Sequence, residues 1–140
     1  MTLTINETRD IPTCHQLRRV VFIDEQSVPL ALEVDGLDDS ARHLLACWDG
    51  QPIGTARLLR DGPTGKIGRV CVLAHGRGRG IGVALIRAAV QAFRNQSGVK
   101  QVKLGAQAHA LGFYAAFGFR AVGTEYQDAG IPHQDMMLLL

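Results

Sequence analysis

The sequence predicts an α+β fold built on a mixed central β-sheet. Two observations carry this. Three strand-like segments follow one another within residues 44–73, with turn signals between them, which argues for antiparallel neighbours. A helical pattern then links the third of them to another strand at residues 99–104, and strands joined through a helix run parallel. A chain of 140 residues, 46% apolar and 20% charged, has the length of one domain, residues 1–140, with room for a core.

Taken in order, Leu3 and Ile5 alternate with polar residues and read as a first strand. Asp10 is a good N-cap and Pro12 is tolerated in a first helical turn. Ile11, Cys14, Leu17, Val20 and Val21 mark one face of a helix that reaches about Phe22, with Arg18 and Arg19 toward its other side. Residues 24–39 are polar and acidic, punctuated by Pro29 and Gly36, with a short helix around residues 30–33. Residues 44–48 form a strand, Asp49-Gly50 is a hairpin turn, and residues 53–59 return. A second turn at residues 60–65 leads into a strand over residues 66–73.

Residues 69–82 are the centre of the chain. Val70, Cys71, Val72 and Leu73 make a short apolar run, and Gly76, Gly78, Gly80 and Gly82 then let a ligand approach the backbone closely. From Ile81 the apolar residues Leu85, Ala88, Ala89 and Ala92 follow at helical spacing, so a helix runs from about Arg79 to near Asn95. Such a helix points unpaired N–H groups and its positive dipole end at the turn, where Arg77 and Arg79 add charge, and a phosphate or pyrophosphate suits it. The dinucleotide pattern G-x-G-x-x-G fails at Val83, and no Gly-Lys-Ser/Thr follows for a Walker loop. Val99, Val102 and Leu104 mark the next strand. Ala110, Phe113, Tyr114 and Phe117 form the buried face of a last helix, ended by Gly118. A strand begins within residues 119–122, residues 130–133 are a turn, and residues 136–140 close the chain as an apolar strand or a dimer seam.

Arg77-Gly78-Arg79-Gly80-Ile81-Gly82 fits Arg/Gln-x-x-Gly-x-Gly/Ala, and Phe113-Tyr114-Ala115-Ala116-Phe117-Gly118-Phe119 fits aromatic-Tyr-x-x-x-Gly-Phe. In this order and spacing they resemble the two signatures of the GNAT superfamily of N-acetyltransferases. Residues 21–26, the Glu33/Asp35/Gly36 group, Ala106-Gln107 and residues 130–133 look like its YjcF/ElaA-like subgroup. The resemblance implies a mixed sheet of six to seven strands with splayed parallel strands 4 and 5, flanked by about four helices. It implies that acetyl-CoA, as co-substrate, places its pyrophosphate on the backbone of Arg77, Gly78, Arg79, Gly80, Ile81 and Gly82. Its pantetheine would lie along Val70, Cys71 and Val72, with Gln107, Phe113 and Tyr114 completing the coenzyme site. The same resemblance makes the Val72 N–H the oxyanion donor and Tyr114 the acid that protonates the departing thiolate. It puts His109 where many relatives have Asn.

The implied reaction is acetyl transfer to a primary amine of a small molecule or peptide, by direct attack in a ternary complex. A non-catalytic acyl-CoA-binding or sensing domain is the alternative. The acidic segment suits a cationic acceptor, with Glu25, Glu33, Asp35 and His133 as substrate-binding candidates, and the general base stays open among these four and His43, acting directly or through water, with an amine that arrives deprotonated as the alternative. Cys14, Cys47 and Cys71 are far apart in apolar contexts, and no Cys-x-x-Cys exists, which argues for free buried thiols and no metal. A net charge of +2 and an Arg-Gly cluster without interleaved aromatics argue against nucleic acid. No run of about 18 apolar residues and no signal-peptide pattern occurs, so the expected protein is cytoplasmic, with no membrane partner.

Overall fold

The computed structural model describes residues 2–140. Its strands are β1 (Leu3–Thr8), β2 (Arg42–Trp48), β3 (Gln51–Asp61), β4 (Thr64–Val72), β5 (Gln101–Gln107), β6 (Arg120–Asp128) and β7 (Ile131–Leu139). Its α-helices are α1 (Ile11–Arg18), α2 (Leu30–Glu33), α3 (Ile81–Arg94) and α4 (Leu111–Ala115). The strands form one sheet in the order β1-β2-β3-β4-β5-β7-β6, in which only the β4–β5 pair is parallel. The Asp49-Gly50 turn has φ +49° and +81°, the left-handed pair whose twist matches that of the two strands it joins. Asp10 caps α1, its Oδ1 accepting the Thr13 N–H at 3.2 Å.

The main core joins Leu44, Ala46, Ala56, Leu58 and Ile67 of the sheet to Ile81, Leu85, Ile86, Ala89 and Phe93 of α3. A second, smaller cluster joins Cys71 to Leu17 and Val21 at the α1 side. Covered on both faces, β3 is buried continuously from residue 53 to residue 58.

Two irregularities shape the molecule. In the β3–β4 ladder Thr55 faces Cys71 and Arg57 faces Gly68, so β4 spends one residue more than β3 over that stretch. Arg69 sits in this bulge at φ +51°. Ile67 and Cys71, four apart, would share a face of a regular strand, whereas the extra residue sends them to different clusters. The second irregularity follows α1. Residues 19–25 continue as a widened, π-helical segment, and the Gln26 N–H reaches Val21 O, five residues back, at 3.1 Å.

Four expectations are corrected. Arg18 faces the interior at 0% exposure, while Val20 is exposed, because the buried face of α1 runs through Cys14, Leu17 and Arg18 and the helix then widens. Arg18 Nη1 donates to Asp38 Oδ1 at 2.8 Å and Nη2 to His43 Nδ1 at 2.9 Å, so its charge is met inside. The helix after the glycine loop starts at Ile81, not Arg79. The last helix is only Leu111–Ala115, and Phe113 lies on its exposed side. The turn expected at residues 130–133 is confined to Ala129-Gly130; Ile131, Pro132 and His133 already belong to β7, with Pro132 paired opposite Gln127.

Candidate active site

The parallel strands part company early. Thr64, Gly65, Lys66 and Ile67 of β4 pair with Gln101, Val102, Lys103 and Leu104 of β5, and the ladder stops there. Beyond it, Gly68, Arg69 and Val70 face Gly105 and Gln107 across a cleft of about 410 Å³, to which Ala110, Tyr114, Tyr126, Asp128 and His133 also contribute. The bulge at Arg69 and the bonds β5 makes to β7 open this gap, since each strand keeps its other neighbour. Strand alternation fixes what β4 offers it. The Leu73 N–H bonds across to Ile53 O at 2.9 Å, so the N–H and C=O of Val72 point the other way, to the unpaired edge. The Val72 carbonyl is taken by Arg77 Nε at 3.0 Å, which leaves its N–H.

The glycine loop borders the end of β4. Gly78 and Gly80 both sit at φ +78°, the left-handed region that a Cβ disfavours. Gly80 begins α3 with no side-chain cap; its carbonyl accepts the Ala84 N–H at 3.0 Å. The amides of Ile81, Gly82 and Val83 therefore lack intrahelical partners and face the loop. Arg77 also bonds Glu25 at 2.9–3.0 Å, and the Arg79 guanidinium lies 5.3 Å from the Trp48 ring centre, which leaves its edge N–H groups open. A short anion-binding corner results, built from backbone with cations at its rim.

Tyr114 is half-buried against Phe113 and Phe119, edge to face at 5.0 and 6.2 Å. Its hydroxyl makes no hydrogen bond among the described residues, and burial pushes the phenol above its ordinary range, so it stays protonated. Cys71 is different. Its side chain packs toward α1 at 4% exposure, and burial pushes the thiol up to about 12. A thiolate is unavailable there at neutral pH.

The acidic segment divides. Glu33 is 8% exposed and lines the cleft, with Oε1 enclosed and 3.7 Å from Arg69 Nε. Asp35 does not line it. Arg57 holds Asp35 at 2.7 and 2.8 Å, and that bond, over opposing burial, keeps its carboxyl below the usual range. Burial also works against the Asp38 anion, yet hydrogen bonds from His15, Arg18 and Arg57 outweigh it and hold Asp38 far below that range. Glu25 is committed to Arg77, outside the cleft. His43 has both nitrogens engaged: Arg18 can only donate to Nδ1, so Nε2–H donates to the Asp38 carbonyl at 2.9 Å.

His133 lines the cleft from β7, stacked against Tyr126 at 5.9 Å. Gln107, also in the lining, bonds Gln26 at 3.0 Å and the His109 ring at 2.6 Å. Sequence reasoning missed Phe22, Gln26, Arg69, Tyr126 and Asp128 as cleft residues. Phe22 and Gln26 fall in the subgroup-like phrase at residues 21–26, and Tyr126 and Asp128 flank a hairpin turn beside His133, whereas Arg69 carried no signal.

The chain is similar to known proteins along nearly its whole length. The acetyltransferase (GNAT) domain family profile matches residues 12–140. The uncharacterised N-acetyltransferase YjcF of Bacillus subtilis is 37% identical over 123 residues, 86% of each chain. The crystal structure of an acyl-CoA N-acyltransferase from Pseudomonas aeruginosa superposes with a TM-score of 0.84 at 37% identity over 97% of both chains. That of Escherichia coli ElaA gives 0.86 at 32% identity over 97% of this chain and 99% of its own. Among the described residues no cluster of three or more His, Cys, Asp or Glu is placed to hold a metal, and no helix is long and apolar enough to cross a membrane. With its splayed β4 and β5, its glycine loop at the start of α3 and these relatives, the chain belongs to the GNAT acetyltransferase family.

Proposed function

We propose that the protein transfers an acetyl group from acetyl-CoA to a primary amine by direct attack in a ternary complex. The observation that carries this reading is the β4–β5 gap, which leaves the backbone of β4 unpaired along a cleft of about 410 Å³. In this reading the pantetheine arm takes the place of the missing strand along Val70 and Val72. The diphosphate takes the first amides of α3 and the loop glycines, with Arg77 and Arg79 at its rim. The P. aeruginosa relative, described as an acyl-CoA N-acyltransferase, supports the same coenzyme class.

The chemistry then needs few side chains. The Val72 N–H donates to the oxygen that becomes negative as the amine attacks. Tyr114, protonated and without a partner, gives its proton to the departing thiolate. The high thiol pKa and the inward packing of Cys71 support attack by the amine itself rather than an acetylated enzyme. Glu33, a carboxylate on the cleft wall, attracts the acceptor ammonium.

The test is thiol release from acetyl-CoA over a panel of primary amines and peptides, with the products weighed by mass spectrometry. Amine-dependent release with an acetylated amine supports the proposal. Coenzyme binding with only slow, amine-independent hydrolysis would make the protein an acyl-CoA-binding domain.

A further inference from the structure

The residue that takes the amine proton can be named from a hydrogen bond. His133 Nδ1 lies 2.7 Å from the carbonyl oxygen of Ile131, two residues earlier in β7. A carbonyl only accepts, so Nδ1 must carry the hydrogen. In a neutral imidazole that leaves Nε2 with its lone pair. Nε2 has no hydrogen-bond partner among the described residues, and the ring is part of the cleft wall. The ring is also fixed from the side, stacked on Tyr126 with 23° between planes. Tyr126 in turn donates its hydroxyl to Asp135 Oδ1 at 2.6 Å, and Asp135 is paired to Lys103 at 3.3 Å. Tyr126 reaches this position because the β6–β7 ladder skips: Val122 faces Asp135 but Tyr126 faces His133. Gln134 fills the skip with bonds to Val122 O and Gly123 O at 3.0 and 2.8 Å. Of the other base candidates, Asp35 is held by Arg57, Glu25 by Arg77, and His43 by Arg18 and the Asp38 carbonyl; Glu33 shares the cleft wall, 3.7 Å from Arg69 Nε, and is the carboxylate that attracts the acceptor ammonium.

We infer that His133 Nε2 is the general base of the transfer. This rests on the acetyltransferase reading above and deepens it. The acceptor ammonium gives one proton to Nε2, while Nδ1–H stays on Ile131 O. The neutral amine then forms the C–N bond, and the C–S bond breaks as the tetrahedral intermediate collapses. Tyr114 protonates the thiolate, and the second proton leaving the nitrogen restores the phenol. The net products are the amide, free coenzyme thiol and one proton. The charged and titratable groups around His133 are Glu33 from α2, Arg69 from β4, Tyr114 from α4, Tyr126 and Asp128 from β6 and Asp135 from its own strand; its β5 neighbour Gln107 is uncharged.

The experiment has two arms. Nitrogen-15 NMR of the histidine rings in the free protein reads the tautomer, whichever amines are accepted. A neutral His133 with its proton on Nδ1 is expected; a proton on Nε2 overturns the inference. The second arm compares wild type and His133→Gln with ethylamine and with 2,2,2-trifluoroethylamine, which is neutral without a base. The variant should lose on the order of 10²-fold or more in kcat/KM with ethylamine, and the loss should shrink as pH rises and more of the amine is already free. With trifluoroethylamine the two proteins should converge, and the KM for acetyl-CoA should not move. Equal losses with both amines, or a loss with ethylamine that does not shrink as pH rises, overturns the role of His133 while leaving the acetyltransferase reading intact. A wild type that binds acetyl-CoA and acetylates no amine overturns both.

Discussion

Replacing Asp38 with Asn tests whether the acidic segment is a structural clamp. Asp38 accepts from Arg18 Nη1 at 2.8 Å, from Arg57 Nη1 at 3.3 Å and from His15 Nε2 at 2.6 Å. Arg18 is wholly buried and Arg57 is 5% exposed. Asn keeps the shape and removes the charge, so Arg18 is left inside with a neutral imidazole as its remaining partner. Leaving one member of a buried ion pair uncompensated costs about 3–5 kcal/mol, a large part of the roughly 5–15 kcal/mol that holds a domain of this kind together. With a urea m-value of about 1–3 kcal/mol/M, the unfolding midpoint should fall by about 2 M. The double variant Arg18→Met/Asp38→Asn should recover part of the loss, because the stranded charge goes with the arginine.

The pH dependence has a definite sign. Asp38 and Asp35 both ionise more readily in the folded chain than in the unfolded one. Their contribution is therefore complete above the unfolded carboxylate value of about 4 and fades as pH falls below it toward the lower folded values. Wild type should lose stability steeply on acidification, and Asp38→Asn less steeply. A loss below about 1 kcal/mol, the level of a surface pair, with an unchanged acid slope, would refute the clamp.

Other expectations follow from the cleft. Tyr114→Phe should lower kcat by about 10²-fold or more while leaving coenzyme affinity within a few-fold, as titration calorimetry would show; unchanged turnover removes the proton-donor role. Because burial raises the Tyr114 phenol, the alkaline loss of activity should begin above the ordinary phenol value of about 10. Cys71→Ala should still transfer acetyl groups, and native Cys71 should resist iodoacetamide at pH 8; an acetylated Cys71 peptide would contradict this. Gly105→Ala would put a Cβ 2.6 Å from the Tyr126 hydroxyl, forcing that ring off Asp135 and loosening its stack on His133. Its kcat/KM for the amine should fall about tenfold, the equivalent of roughly one hydrogen bond, with the KM for acetyl-CoA unchanged; a KM for acetyl-CoA that rises as much as this kcat/KM falls would refute the local reading.

What the sequence made legible was what short-range physics encodes. Glycines at 78 and 80, a capping Asp10 and the Asp49-Gly50 turn each express a backbone need within a few residues. Strand segments along the chain followed from periodicity and turn spacing and the mixed sheet from the helix between two of them, while the count of six to seven strands came from the family resemblance. Contacts between distant residues stayed hidden. Arg18 reads as a solvent residue because its partner Asp38 is twenty positions away and His43 farther still. The bulge at Arg69 has no sequence mark, since a left-handed φ is normally signalled by Gly or Asn. It helps open the cleft and reverses the side on which Cys71 lies. The β7 start was misread because Gly130 and Pro132 look like one turn; Pro132 is instead part of the strand, and His133 follows it onto the cleft wall.

In the proposed complex a coenzyme fills the β4–β5 gap with its diphosphate on the loop before α3. Calorimetric titration of the protein with coenzyme A and, separately, with pantetheine, which lacks the diphosphate, tests it most directly. One coenzyme A should bind per chain, with an affinity for pantetheine lower by about 10²-fold or more, as expected when charge-assisted bonds worth about 1.5–3 kcal/mol each are removed. No uptake of coenzyme A, or equal affinity for the two, would contradict it.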